Sequence, residues 1–273
     1  MSGRLRDKVA LVTGAGLHGD GWSNGKACAV TYAREGARVM VVDLDGDAAE
    51  ATAALIREEG GEAEALRGDV SDGDAVARMT RRCKQRFGAL HVLHNNVGVL
   101  SAGGPVELDP ADWQRSLDVN QTSMFLTCKH AIPLMLSQGG GAIVNVSSVA
   151  GFRWIGVPHV AYATTKGAVV SFTRAVALEY AARGIRANCV VPGLLDTPMI
   201  RRPMQRLDAQ TAGALIANRH AASPTGAMGD AFDVAWASVY LASDEARYVT
   251  GTEIVVDGGL SQSCMSAPAL PAG

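Results

Sequence analysis

Short apolar runs alternate with longer helical patterns along almost the whole chain, and that alternation leaves few folds open. Lys8–Thr13, Arg38–Val42, Ala63–Leu66, Leu90–His94, Ala142–Val146, Ile185–Val191 and Glu253–Val256 read as strands. Most of them are continuously apolar, the pattern of strands buried on both faces. Between them Gly25–Glu35, Asp47–Glu59, Asp72–Phe87, Trp113–Ser137, His159–Arg183 and Asp230–Ala242 read as helices, several stopped by a glycine such as Gly36 or Gly88. Repeated strand–helix–strand units connect right-handedly and build a parallel sheet with helices on both faces. The expected fold is an α/β, doubly wound parallel sheet.

A chain of 273 residues has room for one large domain. Residues 1–262 are assigned to it, and 263–273, rich in Ala, Pro and Gly, read as a flexible tail. A net charge of −2 argues against nucleic acid or an anionic membrane as partner. The five cysteines are scattered, with no C-x-x-C and no His/Cys grouping, so no metal is expected and the thiols fit a reducing cytoplasm. No signal peptide and no membrane-length apolar run is visible, which also places the protein in the cytoplasm.

The first turn carries the first chemistry. Strand, Thr13-Gly14-Ala15-Gly16, helix, strand and then Asp43 is the order that a dinucleotide-binding unit requires. Gly14 permits the tight exit from the strand. Gly25 lets the helix start pack closely, and that helix offers its free N–H groups and positive dipole end to a pyrophosphate. Asp43, 18 residues after Gly25, is placed to accept hydrogen bonds from an adenosine ribose 2′-hydroxyl. A 2′-phosphate there meets a carboxylate with no basic residue in the loop, so NAD is expected rather than NADP.

A second constellation lies at Ser147-Ser148 and Tyr162-Ala163-Thr164-Thr165-Lys166. Tyr162 and Lys166 share a helix face one turn apart. A lysine there is expected to favour the phenolate and bring the tyrosine toward working pH. A serine hydroxyl from the end of the preceding strand then holds a carbonyl oxygen against the phenol, an acid–base site for interconverting an alcohol and a ketone. Strand alternation lets only one of Ser147 and Ser148 face the site; Ser148 is the expected one and Ser147 the alternative.

Thr13-Gly14-Ala15-Gly16, Asp69-Val70, Asn95-Asn96-Val97-Gly98, Asn120, Ser148, Tyr162-x-x-x-Lys166, Pro192-Gly193-Leu194-Leu195-Asp196-Thr197, Val249-Thr250-Gly251 and Val256-Asp257-Gly258-Gly259 together resemble the single-domain short-chain dehydrogenase/reductases, over roughly residues 5 to 262. The resemblance implies a Rossmann-like sheet of seven strands in the order 3-2-1-4-5-6-7. It implies Tyr162 as general acid/base, Lys166 tuning it and gripping the nicotinamide ribose, and Ser148 orienting the substrate oxygen. Asn120 is implied to kink its helix and hold a water that links Lys166 to solvent. Gly14, Asn24, Gly25, Asp43 and Leu44 fall in the implied cofactor site, with Asp69 and Val70 flanking the adenine. Asn95, Val97 and Gly98 line the adenosine side, and Pro192, Gly193, Leu195 and Thr197 the carboxamide end. It also implies a homodimer or homotetramer, to which the apolar Val169, Val170, Phe172 and Val176 are expected to lend a face.

The chain departs from the family pattern in three places. Leu17–Trp22 is inserted after the first glycines, leaving Ser23 where a glycine is common; the insertion is either an ordinary surface loop or a partial lid over the cofactor. Val97 stands for the usual alanine. Ser148 lies 14 residues before Tyr162, one more than the family spacing. Trp154 in the loop after Ser148, His159 one turn before Tyr162, and Arg201 in a substrate loop at about 194–225 are the candidate contacts to a small-molecule alcohol or ketone; Arg201, with Arg202 and Arg206, suits an acidic substrate. An NADPH-linked carbonyl or 3-oxoacyl-type reductase is the nearest alternative, and a dinucleotide-binding scaffold without catalysis is the alternative of another class.

Overall fold

β1 (Val9–Thr13) is buried at all five positions because helices cover both of its faces. Ala10 and Val12 point to one face and Val9 and Leu11 to the other, so a single strand feeds two separate apolar layers. The computed structural model describes residues 3–16 and 19–263. Along them follow α1 (Asn24–Arg34), β2 (Arg38–Asp43), α2 (Gly46–Glu58), β3 (Ala63–Arg67), α3 (Gly73–Phe87), β4 (Val92–Asn95) and α4 (Pro110–Leu117). Then come α5 (Ser123–Leu136), β5 (Gly141–Val146), α6 (Val160–Tyr180), β6 (Ile185–Pro192), α7 (Pro198–Met204), α8 (Ala209–Ala222), α9 (Ala231–Ala242) and β7 (Glu253–Val256). The strands form one sheet in the order β3-β2-β1-β4-β5-β6-β7, every neighbouring pair parallel, as the resemblance implied. The order reverses between β1 and β4. At such a switch point a crevice opens beyond the carboxyl ends of the strands, and ligands of this architecture bind there.

One apolar layer joins β1 and β2 to α1 and α9 through Val12, Val39, Val30 and Val239. The other joins Leu11, Met40 and Leu93 to Met79 of α3 and Met135 of α5. Val169 and Val176 of α6 are buried inside the subunit against β6, and Val170 and Phe172 pack on the same layers. The apolar face assigned above to a partner copy is thus largely covered within the chain. Phe125 of α5 and Leu178 of α6 are the large apolar side chains left exposed on these helices.

Two further differences from the sequence reading concern helices. The single helix expected over Trp113–Ser137 is broken by a wide π-type turn at Asp118–Thr122, centred on Asn120, and then runs on past Pro133 to Leu136. Beyond β6, where no element was assigned, α7 and α8 form. α8 buries no residue, so it lacks the apolar stripe by which a helix is recognised in sequence. Among the described residues no helix is long and apolar enough to cross a membrane.

The layer under α1 holds one polar pair. His94 of β4 is fully buried, its Nδ1 lies 3.0 Å from the Tyr32 hydroxyl, and its Nε2 has no partner among the described residues. Burial pushes its imidazole down to about 3. Cys28, Cys83, Cys128 and Cys189 are buried free thiols that burial pushes up to about 12.

Candidate active site

The crevice begins where β1 ends. Gly14 takes a φ of +63°, and a Cβ there would stand 3.0 Å from Val97 Cγ2. Gly25, in the first turn of α1, is pressed harder still: a Cβ would lie 2.0 Å from the Gly14 carbonyl oxygen and 2.6 Å from Asn96 Nδ2. The helix start therefore rests directly on the loop, with no side chain of its own between them. Asn96 fastens this contact by donating to the Gly14 carbonyl at 3.1 Å, a role that only the strand register reveals. Gly25→Ala must push the two segments apart; we expect it to cost about 1–3 kcal/mol of stability and to weaken nucleotide binding, both measurable by thermal unfolding with and without NADH.

Ser23 caps α1, accepting from the Lys26 N–H at 3.2 Å. Lys26 lies almost fully buried, with Nζ donating to the Gly21 carbonyl at 3.3 Å and standing 4.1 Å from the Trp22 ring centroid. Trp22 in turn packs on Phe232 of α9, ring centroids 4.7 Å apart. Cβ atoms on Gly19 and Gly21 would come within 3.7 Å of the Arg202 guanidinium and of Pro198. The inserted loop thus reaches from the cofactor turn to α7; Leu17 and His18 lie outside the described residues.

At the other end of the crevice Asp43 is buried. Its Oδ2 accepts from the Gly16 N–H at 2.8 Å and its Oδ1 from the Asp45 N–H at 3.2 Å. Asp43, Leu44, Asp45, Asp47 and Arg67 line a groove, with Leu44 exposed. The sequence offers no base in the Asp43 loop, but the β2–β3 register sets Arg67 opposite Asp43, and Arg67 Nε donates to the Leu44 carbonyl at 3.2 Å. Asp69, beside the neighbouring groove, accepts from the N–H and hydroxyl of Ser71; Val70 is buried. The Asn95 side chain is held within the sheet: it donates to Asn145 Oδ1 at 2.9 Å and accepts from Thr127 of α5 at 2.9 Å. Asn145 in turn donates to Thr173 of α6 at 2.9 Å. This ladder crosses from α5 to α6 through β4 and β5.

Its neighbour on α6 carries the acid–base pair. Ser147 is buried and donates to the Lys166 carbonyl at 2.6 Å, whereas Ser148 Oγ accepts from the Ala150 N–H at 3.2 Å and stands close enough to the Tyr162 phenol to lower it. Lys166 Nζ donates to the Val146 carbonyl at 2.8 Å and sits 5.7 Å from the Tyr162 ring centroid. Burial pushes the Lys166 amine down to about 8. Tyr162 differs from expectation: burial raises its phenol above the ordinary value and only the Ser148 hydrogen bond opposes it, because the ammonium is aimed at the Val146 carbonyl. A Cβ on Gly98 would stand 3.1 Å from Lys166 Nζ, so the amine reaches the crevice only past a glycine. Asn120, fully buried in the π turn, accepts from the Val99 N–H at 2.7 Å and donates to the Val99 carbonyl at 2.9 Å and to Thr165 at 3.1 Å.

β6 ends at Pro192; a Cβ on Gly193 would lie 2.5 Å from that of Asp257, so the turn fits only glycine closely. Leu195 and Thr197 are buried, and Leu195 pairs with Gly229. Arg201 makes a two-pronged ion pair with Asp196, both contacts at 2.5 Å, which neutralises it. Trp154 is 75% exposed in the loop after Ser148, and the neighbouring Arg153 donates to the Ser261 carbonyl at 3.1 Å. His159 precedes α6, bridged to Gly103, and its Nδ1 is enclosed without a partner.

The crevice suits a nicotinamide dinucleotide on its own features. Gly25 brings the α1 start onto the Gly14 turn with no room for a side chain of its own, and Asn24 Oδ1 beside it is an enclosed acceptor without a donor among the described residues, suited to a hydroxyl of the cofactor. A sequence model of the family described as Enoyl-(Acyl carrier protein) reductase matches residues 19–261. The chain is 38% identical over 265 residues to the 2,5-dichloro-2,5-cyclohexadiene-1,4-diol dehydrogenase of Sphingobium indicum, covering 96% of this chain and 99% of the relative. It is 36% identical over 260 residues to the cyclohexanol dehydrogenase of an Acinetobacter species, covering 94% and 96%. A solved structure of a short-chain dehydrogenase/reductase from Burkholderia xenovorans superposes with a TM-score of 0.93 at 49% identity, covering 96% of this chain and 99% of that one. The chain therefore belongs to the short-chain dehydrogenase/reductase family, oxidoreductases that act on alcohol and carbonyl groups with a nicotinamide dinucleotide.

Proposed function

We propose that this protein is an NAD-dependent dehydrogenase that interconverts a cyclic secondary alcohol and its ketone, with Tyr162 as the acid/base. The meeting of Ser148, Tyr162 and Lys166 beside Gly98 carries this reading. The ring alcohols in the names of the Sphingobium and Acinetobacter relatives support the substrate class. Bound NAD supplies the hydride-accepting carbon. The chain supplies the rest: the Ser148 hydroxyl donates to the substrate oxygen, and Tyr162 as phenolate takes the hydroxyl proton in oxidation and returns it in reduction. Together the two hydrogen bonds support the negative charge that develops on that oxygen. Lys166, one turn from the phenol, is held by the Val146 carbonyl beside the Gly98 opening, and Asn120 ties the loop at Val99 to Thr165 of α6. Gly14 and Gly25 receive the pyrophosphate with Asn24 beside them, Asp43 and Leu44 the adenosine ribose, Asp69, Val70, Val97 and Gly98 the adenosine half, and Pro192, Gly193, Leu195 and Thr197 the carboxamide; Asn95 holds β4 to β5 beneath them.

Three carboxylates against one guanidinium in the groove at Asp43 favour a ribose hydroxyl over a 2′-phosphate. Arg67 is the observation on the side of the alternative, an NADPH-linked carbonyl or 3-oxoacyl reductase. Steady-state rates with both cofactors on a panel of alcohols and ketones decide: NAD is expected to exceed NADP in kcat/KM by at least about tenfold. A preference for NADPH removes the assignment of Asp43. Buried free thiols support a cytoplasmic setting. The exposed Phe125 and Leu178 support self-association as a homodimer or homotetramer.

A further inference from the structure

The last turn of α8 is stitched to the reactive end of the crevice. His220 Nδ1 accepts from the Met228 N–H at 3.0 Å, Leu195 pairs with Gly229 two and one residues away, and His220 lies near enough to Asp196 for its charge to lower that carboxyl. In this turn Arg219 stands out. Its Nε is enclosed without an acceptor, and no described carboxylate pairs with its guanidinium. Of the other arginines near this end, Arg201 is engaged by Asp196 and Arg153 by the Ser261 carbonyl, while Arg202 and Arg206 are exposed to solvent; Arg219 differs from them in being partly enclosed. Asp196, the acid beside His220, is thus already taken. Burial also holds the Arg219 guanidinium below its ordinary value, with no acid to offset it.

An unpaired, half-desolvated guanidinium is costly to keep. Its planar fork fits a carboxylate or sulfonate by two parallel hydrogen bonds. The pyrophosphate of a dinucleotide is served by the start of α1. We propose that Arg219 binds an anionic group, carboxylate or sulfonate, carried by the substrate at a distance from its reacting alcohol. The proposal rests on the dehydrogenase reading and names its substrate class: a hydroxylated ring that bears an acid.

Cyclohexanol and 4-hydroxycyclohexanecarboxylate, oxidised with NAD by the wild type and by Arg219→Gln and Arg219→Lys, form the test. The wild type prefers the carboxylated alcohol in kcat/KM by about tenfold or more, the scale of a charge-assisted pair. Arg219→Gln lowers that preference by about tenfold, mainly through KM, and Arg219→Lys keeps part of it as a point charge. An unchanged preference in Arg219→Gln overturns the proposal. So does a tenfold weaker NADH affinity in that variant, by fluorescence titration, with the preference intact, because the guanidinium then serves the cofactor. If neither alcohol is turned over, the dehydrogenase reading of these substrates fails on its own. Calorimetric binding of cyclohexanecarboxylate to the NAD-loaded protein still judges Arg219: loss in Arg219→Gln supports the anion site, and equal binding rejects it.

Discussion

Tyr162→Phe lowers kcat by at least about a thousandfold in both directions while NADH affinity stays within about threefold. The substitution removes one oxygen and leaves the ring, the α6 backbone and the Lys166–Val146 hydrogen bond in place. General acid–base catalysis is worth about 10²–10⁴-fold, and here the same oxygen also supports the developing alkoxide, which puts the loss at the upper end. Oxidation needs the phenolate and reduction the phenol. Because burial raises the Tyr162 phenol above its ordinary value, the phenolate fraction, and with it oxidation, rises with pH through neutrality, while reduction, served by the phenol, stays level there. Stopped-flow hydride transfer with each protein, set beside NADH fluorescence titration, measures both parts. Residual turnover within tenfold of the wild type would remove Tyr162 from the reaction.

His94 makes the second large effect, on stability. Its imidazole titrates at about 3 in the folded chain, against 6.5 when unfolded. Above pH 6.5 it is neutral in both states and imposes nothing. As the pH falls from 6.5 toward 3 the unfolded chain takes up a proton that the folded chain refuses, and stability drops by about 1.4 kcal/mol per pH unit. The full loss is about 4–5 kcal/mol, a third or more of what holds an ordinary domain together. His94→Leu leaves the Tyr32 hydroxyl with only a long contact to the Ser238 carbonyl, at 3.4 Å, and so costs about 1–3 kcal/mol at pH 7. Between pH 6 and 4, however, its denaturation midpoint falls less steeply than that of the wild type, by nearly one proton's worth of slope. Parallel slopes for the two proteins would show that His94 is charged or hydrated within the fold.

Much of this architecture was legible because its signals are local. The strands betray themselves by continuous apolar runs, and Tyr162 and Lys166 by their one-turn spacing set beside the dinucleotide-binding pattern of the first turn. The features that escaped depend on distant parts of the chain. Arg67 faces Asp43 only through the β2–β3 register, 24 residues further along the sequence. Asn95 looked like a nucleotide contact; its side chain is bound to Asn145 and Thr127, which needs the β4–β5 pairing to foresee. The π turn at Asn120 leaves no trace in periodicity, since a single widened turn shifts the apolar phase too little to notice; the kink at Asn120 is implied only by the family resemblance. Arg201 invites a substrate role by its neighbours, yet Asp196, five positions before it, claims it. α8 escaped for the opposite reason to Tyr162: it buries no residue, so no apolar stripe marks it.

The amide ladder through β4 and β5 has a bearing on how such a protein changes its diet. Thr127, Asn95, Asn145 and Thr173 tie the helix bearing Tyr162 to the middle of the sheet, and Ser147 fixes the Lys166 backbone to the same strand end. None of these bonds involves Phe152–Pro158, α7 or α8. Those segments are therefore free to be exchanged as a cassette: grafting the region between Thr197 and Gly226 from a related oxidoreductase should transplant its appetite for substrate while the hydride-transfer machinery runs on undisturbed.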